Sequence, residues 1–536
     1  MGCSLGPDRR HHTYSRQGTR GLPDCGRQAV AIRRQNCGCP GSRIKAFEER
    51  VVKDASPAIK LNDIIKATEG TLLRQGKRAG CREVSTDTRT IARDALFIPL
   101  RGRTYDGHDY LEDALNRGAA AVLAAKGYAH AAESLSGDVS IIIVDDTLKA
   151  LGDLAYWWRR RFDVPVIAVT GSSGKTTTKE MIALIGERSL KIHKNSGNLN
   201  NCIGFPLSLL QLTSAHGAGV YELASNQPGE IARLAEIAEP DVAVITNVGP
   251  AHLQGFHSLE AVREEKGSIL SFVKPGGMAV INRDDANIRI LEDRWKGKSI
   301  SFGIAERATV RAEHIFTRGD TGVSFTLKIG GLSRGIDMTT LGIHNIYNAL
   351  AAVAASWAVG VHFDEICAGL AAFRQVPGRM TVTRLASGVT IIDDSYNANP
   401  ASATAALKTL AAVKGAGSAV VIFGDMLELG DESEEKHREA GELIASTNVD
   451  FLFVTGMQAY AVAEGARLGG MDADRIHEIK DPGEVLTLLR TIPRGDLWIL
   501  VKGSRAMKME RFCESIADAL KGKASPADLQ EREETT

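Results

Sequence analysis

The segment Thr170-Gly171-Ser172-Ser173-Gly174-Lys175-Thr176-Thr177 brings together the residue types that can hold a nucleoside triphosphate. Backbone N–H groups across the two glycines and the following helix start can surround phosphate oxygens. The Lys175 ammonium can neutralise the β/γ-phosphates, and the Thr176 hydroxyl is a hard oxygen ligand suited to Mg²⁺. The usual spacing with four residues between glycines is not met, because Val169 stands five positions before Gly174. What remains is the shorter G-x-x-G-K-T. The competing reading is a Gly-Lys-Thr turn opening an ordinary helix; a β-rich strand before it and a helix after it favour nucleotide binding.

Other polar residues fall where strands end. Glu222 closes an apolar stretch, and a carboxylate there would hold Mg²⁺ beside the γ-phosphate; a helix-start glutamate is the plainer alternative. His252 lies on the loop Thr246-Asn-Val-Gly-Pro-Ala-His252 and is a candidate second metal ligand. Lys266, taken alone, reads as a solvated helix lysine. Asn345 opens a strongly apolar helix, where capping is the simplest role. In the last third, Arg379, the run Asp393-Asp394-Ser-Tyr-Asn397-Ala-Asn399-Pro400, Gly424–Gly430 and Lys502–Arg505 follow strands, which suggests one binding crevice.

These residues need a scaffold of parallel sheets. Val164–Thr170, Val242–Thr246 and Met278–Ile281 read as strands of one unit. An earlier unit holds Ala95–Leu100, Ala119–Ala124 and Val139–Val144, and a later one Val389–Ile392, Ala419–Phe423, Phe451–Val454 and Leu497–Val501. Continuous apolar runs of this length fit strands covered on both faces. A chain of 536 residues exceeds a single core. The expected class is α/β with three domains: a small α/β domain at 46–148, a central P-loop parallel-sheet domain at 149–375, and a Rossmann-like α/β domain at 376–523.

Residues 1–45 stand apart as a basic leader, with eight arginines and Lys45 against Asp8 and Asp24. Cys25, Cys37, Cys39, His11 and His12 match no zinc spacing, and no apolar segment of signal-peptide type follows the arginines. Disorder is expected there, as it is for the polar tail 524–536. The 65 basic and 65 acidic side chains cancel, which argues against nucleic acid as a partner. No apolar run reaches the roughly 18 residues that would span a bilayer. Sparse cysteine fits a cytosolic chain, and a monomer is the expectation.

Taken together, T-G-S-S-G-K-T-T, N-V-G-P-A-H-L-Q-G-F, H-N-I-Y-N-A-L-A-A, V-P-G-R-M, D-D-S-Y-N-A-N-P, G-D-M-L-E-L-G and K-G-S-R-A-M resemble the Mur ligase family, over about residues 59–522 and in the family's order. The segments Asn195-Ser-Gly-Asn198-Leu-Asn200-Asn201, Asp394–Pro400 and Gly424–Gly430, with His437 seven residues on, are similar to the branch that adds D-alanyl-D-alanine. Ser85-Thr-Asp87-Thr-Arg89 and Tyr105–Asp109 resemble its UDP-substrate domain.

The resemblance implies an ATP-dependent amide ligase of peptidoglycan precursor synthesis. ATP would phosphorylate the free carboxylate of UDP-N-acetylmuramoyl-tripeptide, and the dipeptide amine would attack the acyl phosphate. It also implies residue roles. Lys175, Thr176 and Glu222 would serve the phosphates and a first Mg²⁺, while His252 and a carbamylated Lys266 would hold a second. Asn345 would meet adenine and Arg379 the ATP phosphates. Ser85, Arg89, Asn198, Asn201, Asn226, Asp394, Asn397 and Asn399 would line the substrate sites. A sister ligase adding one amino acid, a folate polyglutamylating relative and a non-catalytic P-loop switch are the alternatives. Three stretches depart from the family pattern: Glu222-Leu-Ala-Ser-Asn226 where E-M-G-A-N is common, Gln254 for Glu, and Ser268 for an acidic residue.

Overall fold

The computed structural model describes residues 58–520, apart from 103, 306, 491 and 493–495. The leader and tail expected at 1–45 and 524–536 lie outside the described residues. Three main sheets carry the chain. The first has four parallel strands, in the order Ser140–Val144, Ala121–Ala125, Ala95–Phe97 and Glu83–Ser85, with Thr71–Arg74 antiparallel at one edge. A short antiparallel pair, Ile59–Lys60 with Gly80–Cys81, flanks it.

The second sheet has nine strands. Third from one edge, Val166–Thr170 lies between Ala218–Glu222 and Val242–Ile245, all parallel. The chain leaves Val166–Thr170 to build Ile192–Lys194 and Ala218–Glu222 on one side, then crosses to Val242–Ile245 on the other. That reversal opens a crevice at the strands' C-terminal ends, where ligands bind in open α/β sheets. Register sets Glu222 beside Val169 and Ile245 beside Thr170. Both faces are covered. Ile167 and Val169 join the core beneath the helices Lys175–Gly186, Ile343–Ala358 and Phe363–Ala372, while Val166 and Ala168 join the core under Glu230–Ala238 and Leu259–Gly267.

The third sheet has six strands: Thr381–Arg384, antiparallel to Val389–Asp394, then Leu497–Lys502, Ser418–Gly424, Phe451–Thr455 and Ile476–Glu478, all parallel. Its three middle strands end side by side, with Asp394 in register with Lys502. The α/β class holds, with mainly parallel sheets buried on both faces.

One region was not anticipated. Between Ile281 and Val389 the sequence reading named no strand, yet Lys298–Gly303, Val310–Thr317, Val323–Ile329 and Leu332–Met338 extend the central sheet, the last two pairings antiparallel. Val323-Ser-Phe-Thr-Leu-Lys-Ile329 alternates apolar and polar because one face alone packs on the core, so no continuous apolar run marks it. The helix Thr147–Arg159 contains the 148/149 junction. Ala150, Leu151, Leu154 and Trp158 pack on the first domain's core, and Ala155 on the central one. Among the described residues no helix is long and apolar enough to cross a membrane.

Candidate active site

Two glycines make the P-loop possible. Gly171 has φ +143° and Gly174 φ +76°, the region open to glycine. A Cβ on Gly171 would meet Thr246 Oγ1 at 2.0 Å, and one on Gly174 would meet Asn348 Oδ1 at 2.2 Å. Helix Lys175–Gly186 starts at Gly174 with no side-chain cap, so its first N–H groups face the loop. Asn247 fastens the loop from the neighbouring strand end. Its Oδ1 accepts from Ser173 N at 2.9 Å, and its Nδ2 donates to Ser173 O at 3.0 Å. Ser172 Oγ donates to Gly249 O at 2.8 Å. Lys175 Nζ folds back onto Gly171 O at 2.8 Å. Burial lowers its pKa below the usual lysine value, partly offset by Glu222.

Glu222, 3% exposed, is the hinge of the constellation. Thr176 Oγ1 donates to its Oε2 at 2.7 Å and Asn200 Nδ2 to its Oε1 at 2.8 Å. Asn195 grips its backbone on both sides, accepting from Glu222 N at 3.0 Å and donating to Glu222 O at 2.9 Å. From the third domain, Arg379 Nη2 donates to Thr176 Oγ1 at 3.3 Å. Arg379 Nε is buried with no hydrogen-bond partner. Its guanidinium carbon stands 4.1 Å from the Tyr396 ring centroid, and that of Arg505 stands 5.4 Å from the same centroid.

His252 (φ +54°) and Glu428 (φ +65°) are both left-handed, and His252 Nδ1 meets Glu428 Oε2 across the two domains. The hydrogen bond from His252 lowers the Glu428 pKa below the usual value. Glu428 sits on a fixed loop. Asp425 accepts from Met457 N and Gln458 N, at 2.8 and 3.0 Å. Buried His437 donates from Nδ1 to Ser433 O and accepts from Met426 N at Nε2, partners that define a neutral ring.

Lys266 is no surface lysine. It is 1% exposed, donates to Ser225 Oγ at 2.7 Å, and lies 5.4 Å from the Phe256 ring centroid. Burial, reinforced by the Lys175 charge, pulls its pKa down to about 7. It is not among the residues that line the large cavity between the two larger domains.

One cavity of about 1030 Å³ joins the two larger domains. Ser172, Ser173, Gly174, Lys175, Thr176 and Thr177 line it from the P-loop side, with Glu222, His252 and Asn198. Asn345 lines it beside the P-loop, next to Asn348, and Arg379, Asp394, Asn397 and Asn399 line it from the third domain. Asp394 pairs with buried Lys502, whose Nζ also donates to Asn397 O at 3.0 Å. Asn399 caps helix Pro400–Val413 through a capping box and also points Nδ2 at Ser172 O, 3.5 Å away. Asn345 borders the cavity, yet its amide is engaged by Leu341 O and Asn348.

Several expected residues stand elsewhere. Asn201 caps the turn into helix Gly204–Leu209, accepting from Ile203 N and Gly204 N, and its neighbour Asn200 is the one that reaches Glu222. Asn226 lies off the cavity, its N–H donating to Glu230. Ser85 borders a second cavity of about 580 Å³ with Asp87, Trp158 and Leu199; Arg89 is not in its lining and its exposed side chain pairs with Asp87. The loop 195–201 therefore divides the two cavities, Asn198 and Asn200 on one and Leu199 on the other. Sequence reasoning missed Asn247, Ser225 and Lys502 as partners. It also missed Asp284, whose Oδ2 accepts from Tyr347 OH at 2.8 Å at the cavity edge. A signal for Asp284 existed, since Asn282-Arg-Asp-Asp285 follows a strand. Among the described residues no group of three or more His, Cys, Asp or Glu could hold a metal.

Comparison with known proteins agrees with this layout. Three family models match: the Mur ligase family, catalytic domain, at 81–158; the Mur ligase middle domain at 169–356; and the Mur ligase, glutamate ligase domain, at 378–505. The chain is 34% identical to UDP-N-acetylmuramoyl-tripeptide–D-alanyl-D-alanine ligase of Bacillus subtilis, over 86% of this chain and 98% of that one. The crystal structure of MurF from Acinetobacter baumannii superposes with a TM-score of 0.79 at 30% identity, covering 86% and 99% of the two chains. MurF ligase from Thermotoga maritima, solved with ADP, gives 0.73 at 29% identity, covering 82% and 98%. With such likeness along most of its length, and with the P-loop, Glu222 and Arg379 meeting in one cavity, this chain belongs to the Mur ligase family.

Proposed function

We propose that this chain is an ATP-dependent ligase that joins D-alanyl-D-alanine to UDP-N-acetylmuramoyl-tripeptide, releasing ADP and phosphate. The observation that carries the reading is the meeting of the P-loop Thr176, Glu222 and the third domain's Arg379 around one hydroxyl. That arrangement surrounds a transferred phosphoryl group with donors from two domains. Catalysis of this kind rests on positioning and charge stabilisation. Lys175 leaves Gly171 O for the β/γ-phosphates, and Arg379 offers its unpaired Nε to the same charge. The tripeptide carboxylate takes the phosphoryl group, the dipeptide amine attacks the acyl phosphate, and the tetrahedral intermediate collapses to an amide.

The residues present suit Mg²⁺. Thr176 and Glu222 offer hard oxygens side by side, and an ion carried largely by ATP phosphates needs no protein cage of three carboxylates. Bound there, Mg²⁺ supplies charge neutralisation at the phosphates. His252 and Lys266, as its carbamate, are the proposed holders of a second ion. With a pKa of about 7 the Lys266 amine is substantially neutral near pH 7, the form that takes up CO₂ with loss of a proton. The Ser225 departure supplies the hydroxyl next to that amine.

The reading divides the chain as expected from sequence: UDP-substrate binding at 46–148, ATP binding at 149–375 and ligation at 376–523. Each part has a sheet of its own, and the second cavity beside Ser85 suits the UDP moiety. The protein works as a monomer in the cytoplasm, where its nucleotide substrates are found. Phosphate release with each substrate supplied separately and together tests the assignment: turnover must require both the UDP-tripeptide and the dipeptide. A sedimentation run at working concentration tests the monomer.

A further inference from the structure

The reaction proposed above, on which this inference rests, leaves one charge without a counterpart. The dipeptide brings a carboxylate that takes no part in the chemistry and survives as the C-terminus of the product. Burying it beside ATP phosphates without a cation is costly. Four Lys and Arg side chains, among the described residues, line the large cavity. Lys175 belongs to the P-loop. Arg379 reaches Thr176. Lys502 is 1% exposed and bound to Asp394 and to Asn397 O. Arg505 is different: it stacks on Tyr396 and pairs with Glu510, its side chain 61% exposed.

The geometry points to Arg505 as the receptor for the C-terminal carboxylate of the incoming D,D-dipeptide, with Tyr396 as the spacer that sets its distance from the phosphoryl site. The Arg379 and Arg505 guanidinium carbons stand 4.1 and 5.4 Å from one ring centroid, so they are no more than about 10 Å apart. An extended dipeptide spans about 7 Å. An amine placed at the acyl phosphate near Arg379 therefore has its carboxylate within reach of Arg505. The anchor is rigid at the backbone: Arg505 N donates to Asn397 Oδ1 at 3.3 Å, and Ser504 N to Asp425 O at 2.9 Å. A stacked guanidinium keeps a planar fork of donors, which matches a carboxylate in two hydrogen bonds.

The test compares D-alanyl-D-alanine with its C-terminal carboxamide on the full chain, in wild type and in Arg505→Ala, Arg505→Gln and Arg505→Lys. Wild type is expected to prefer the free acid by about 10- to 100-fold in kcat/KM. Arg505→Ala and Arg505→Gln should raise the KM for the acid by a similar factor, leave the KM for ATP unchanged, and bring acid and carboxamide within about threefold of each other. Arg505→Lys should recover part of the preference. Equal losses on acid and carboxamide would make Arg505 a structural residue and overturn the proposal. So would a rise confined to the KM of the UDP-tripeptide, or a wild type indifferent to amidation. A wild type that does not use the dipeptide at all contradicts the parent reading instead, so the two failures are distinct. Where Arg505→Ala fails to fold, the Gln and Lys variants carry the same comparison.

Discussion

Both oxygens of the Glu222 carboxylate are directed by neighbours, Thr176 on one and Asn200 on the other, while Asn195 fixes its backbone. A carboxylate held this way keeps the geometry an ion needs without moving at the moment of reaction. Lys266 shows a similar dependence on surroundings. In sequence it is one lysine on a charged helix; in the fold it is buried against Phe256 and Ser225 with a pKa of about 7. Lys266→Ala should lower kcat by about 100-fold or more, and added short carboxylates should restore part of it. Unchanged activity in steady-state assays would return Lys266 to a structural role. At this scale the P-loop and the strand-end carboxylates were readable, because their spacing along the chain is itself the geometry. Ser225 beside Lys266 and Glu428 beside His252 were not, since each pair joins residues 41 and 176 positions apart.

Loops at strand ends, more than the strands, do the positioning. The turn 171–174 depends on glycine at both ends: its closest neighbours, Thr246 and Asn348, come from two other elements. Gly174→Ala combines a φ of +76° with an approach of 2.2 Å to Asn348. It should cost about 1–3 kcal/mol of stability and raise the KM for ATP at least tenfold, read by chemical unfolding and by initial rates. A variant that binds ATP normally would show the loop to be looser than described. The loop 424–430 is held by Asp425 and His437 rather than by packing. His437→Ala leaves the Met426 N–H unpaired, with an expected loss of about 1–3 kcal/mol. Strands with continuous apolar runs were legible as elements, since burial on both faces leaves no other pattern. Much of the sheet extension at 298–338 was not, because a one-sided strand such as Val323–Ile329 alternates and leaves no continuous apolar run. Asn201 also has a local role that its sequence position permits: an Asn before a helix caps it when the N–H groups lie within reach, and here those of Ile203 and Gly204 do.

In the whole molecule, the zero net charge conceals how the anionic substrates are met: by glycine turns, two arginines and two lysines drawn from separate domains into one cavity. The helix Thr147–Arg159 contributes to two cores at once, so the small first domain is not a free appendage. Acid sensitivity follows from a half-buried histidine. Burial pulls the His193 pKa down to about 4 from its ordinary 6.5. Between these values the unfolded chain binds a proton that the folded chain refuses, so stability falls as pH drops from about 6.5 to about 4. His193→Gln should flatten that part of the melting-temperature profile; an unchanged slope would mean that His193 titrates normally. The order of domains and the presence of a nucleotide site were legible from motif order alone, whereas the pairing of Arg379 with Thr176 required the fold that brings residues 203 positions apart together. The central claim is ligation across that junction, and its most direct test is phosphate release coupled to product mass. With ATP, Mg²⁺, UDP-N-acetylmuramoyl-tripeptide and D-alanyl-D-alanine all present, phosphate and the UDP-linked pentapeptide should appear in equal amounts, and omission of either peptide substrate should stop both. Phosphate release that continues without the dipeptide, or release without the pentapeptide product, would contradict it.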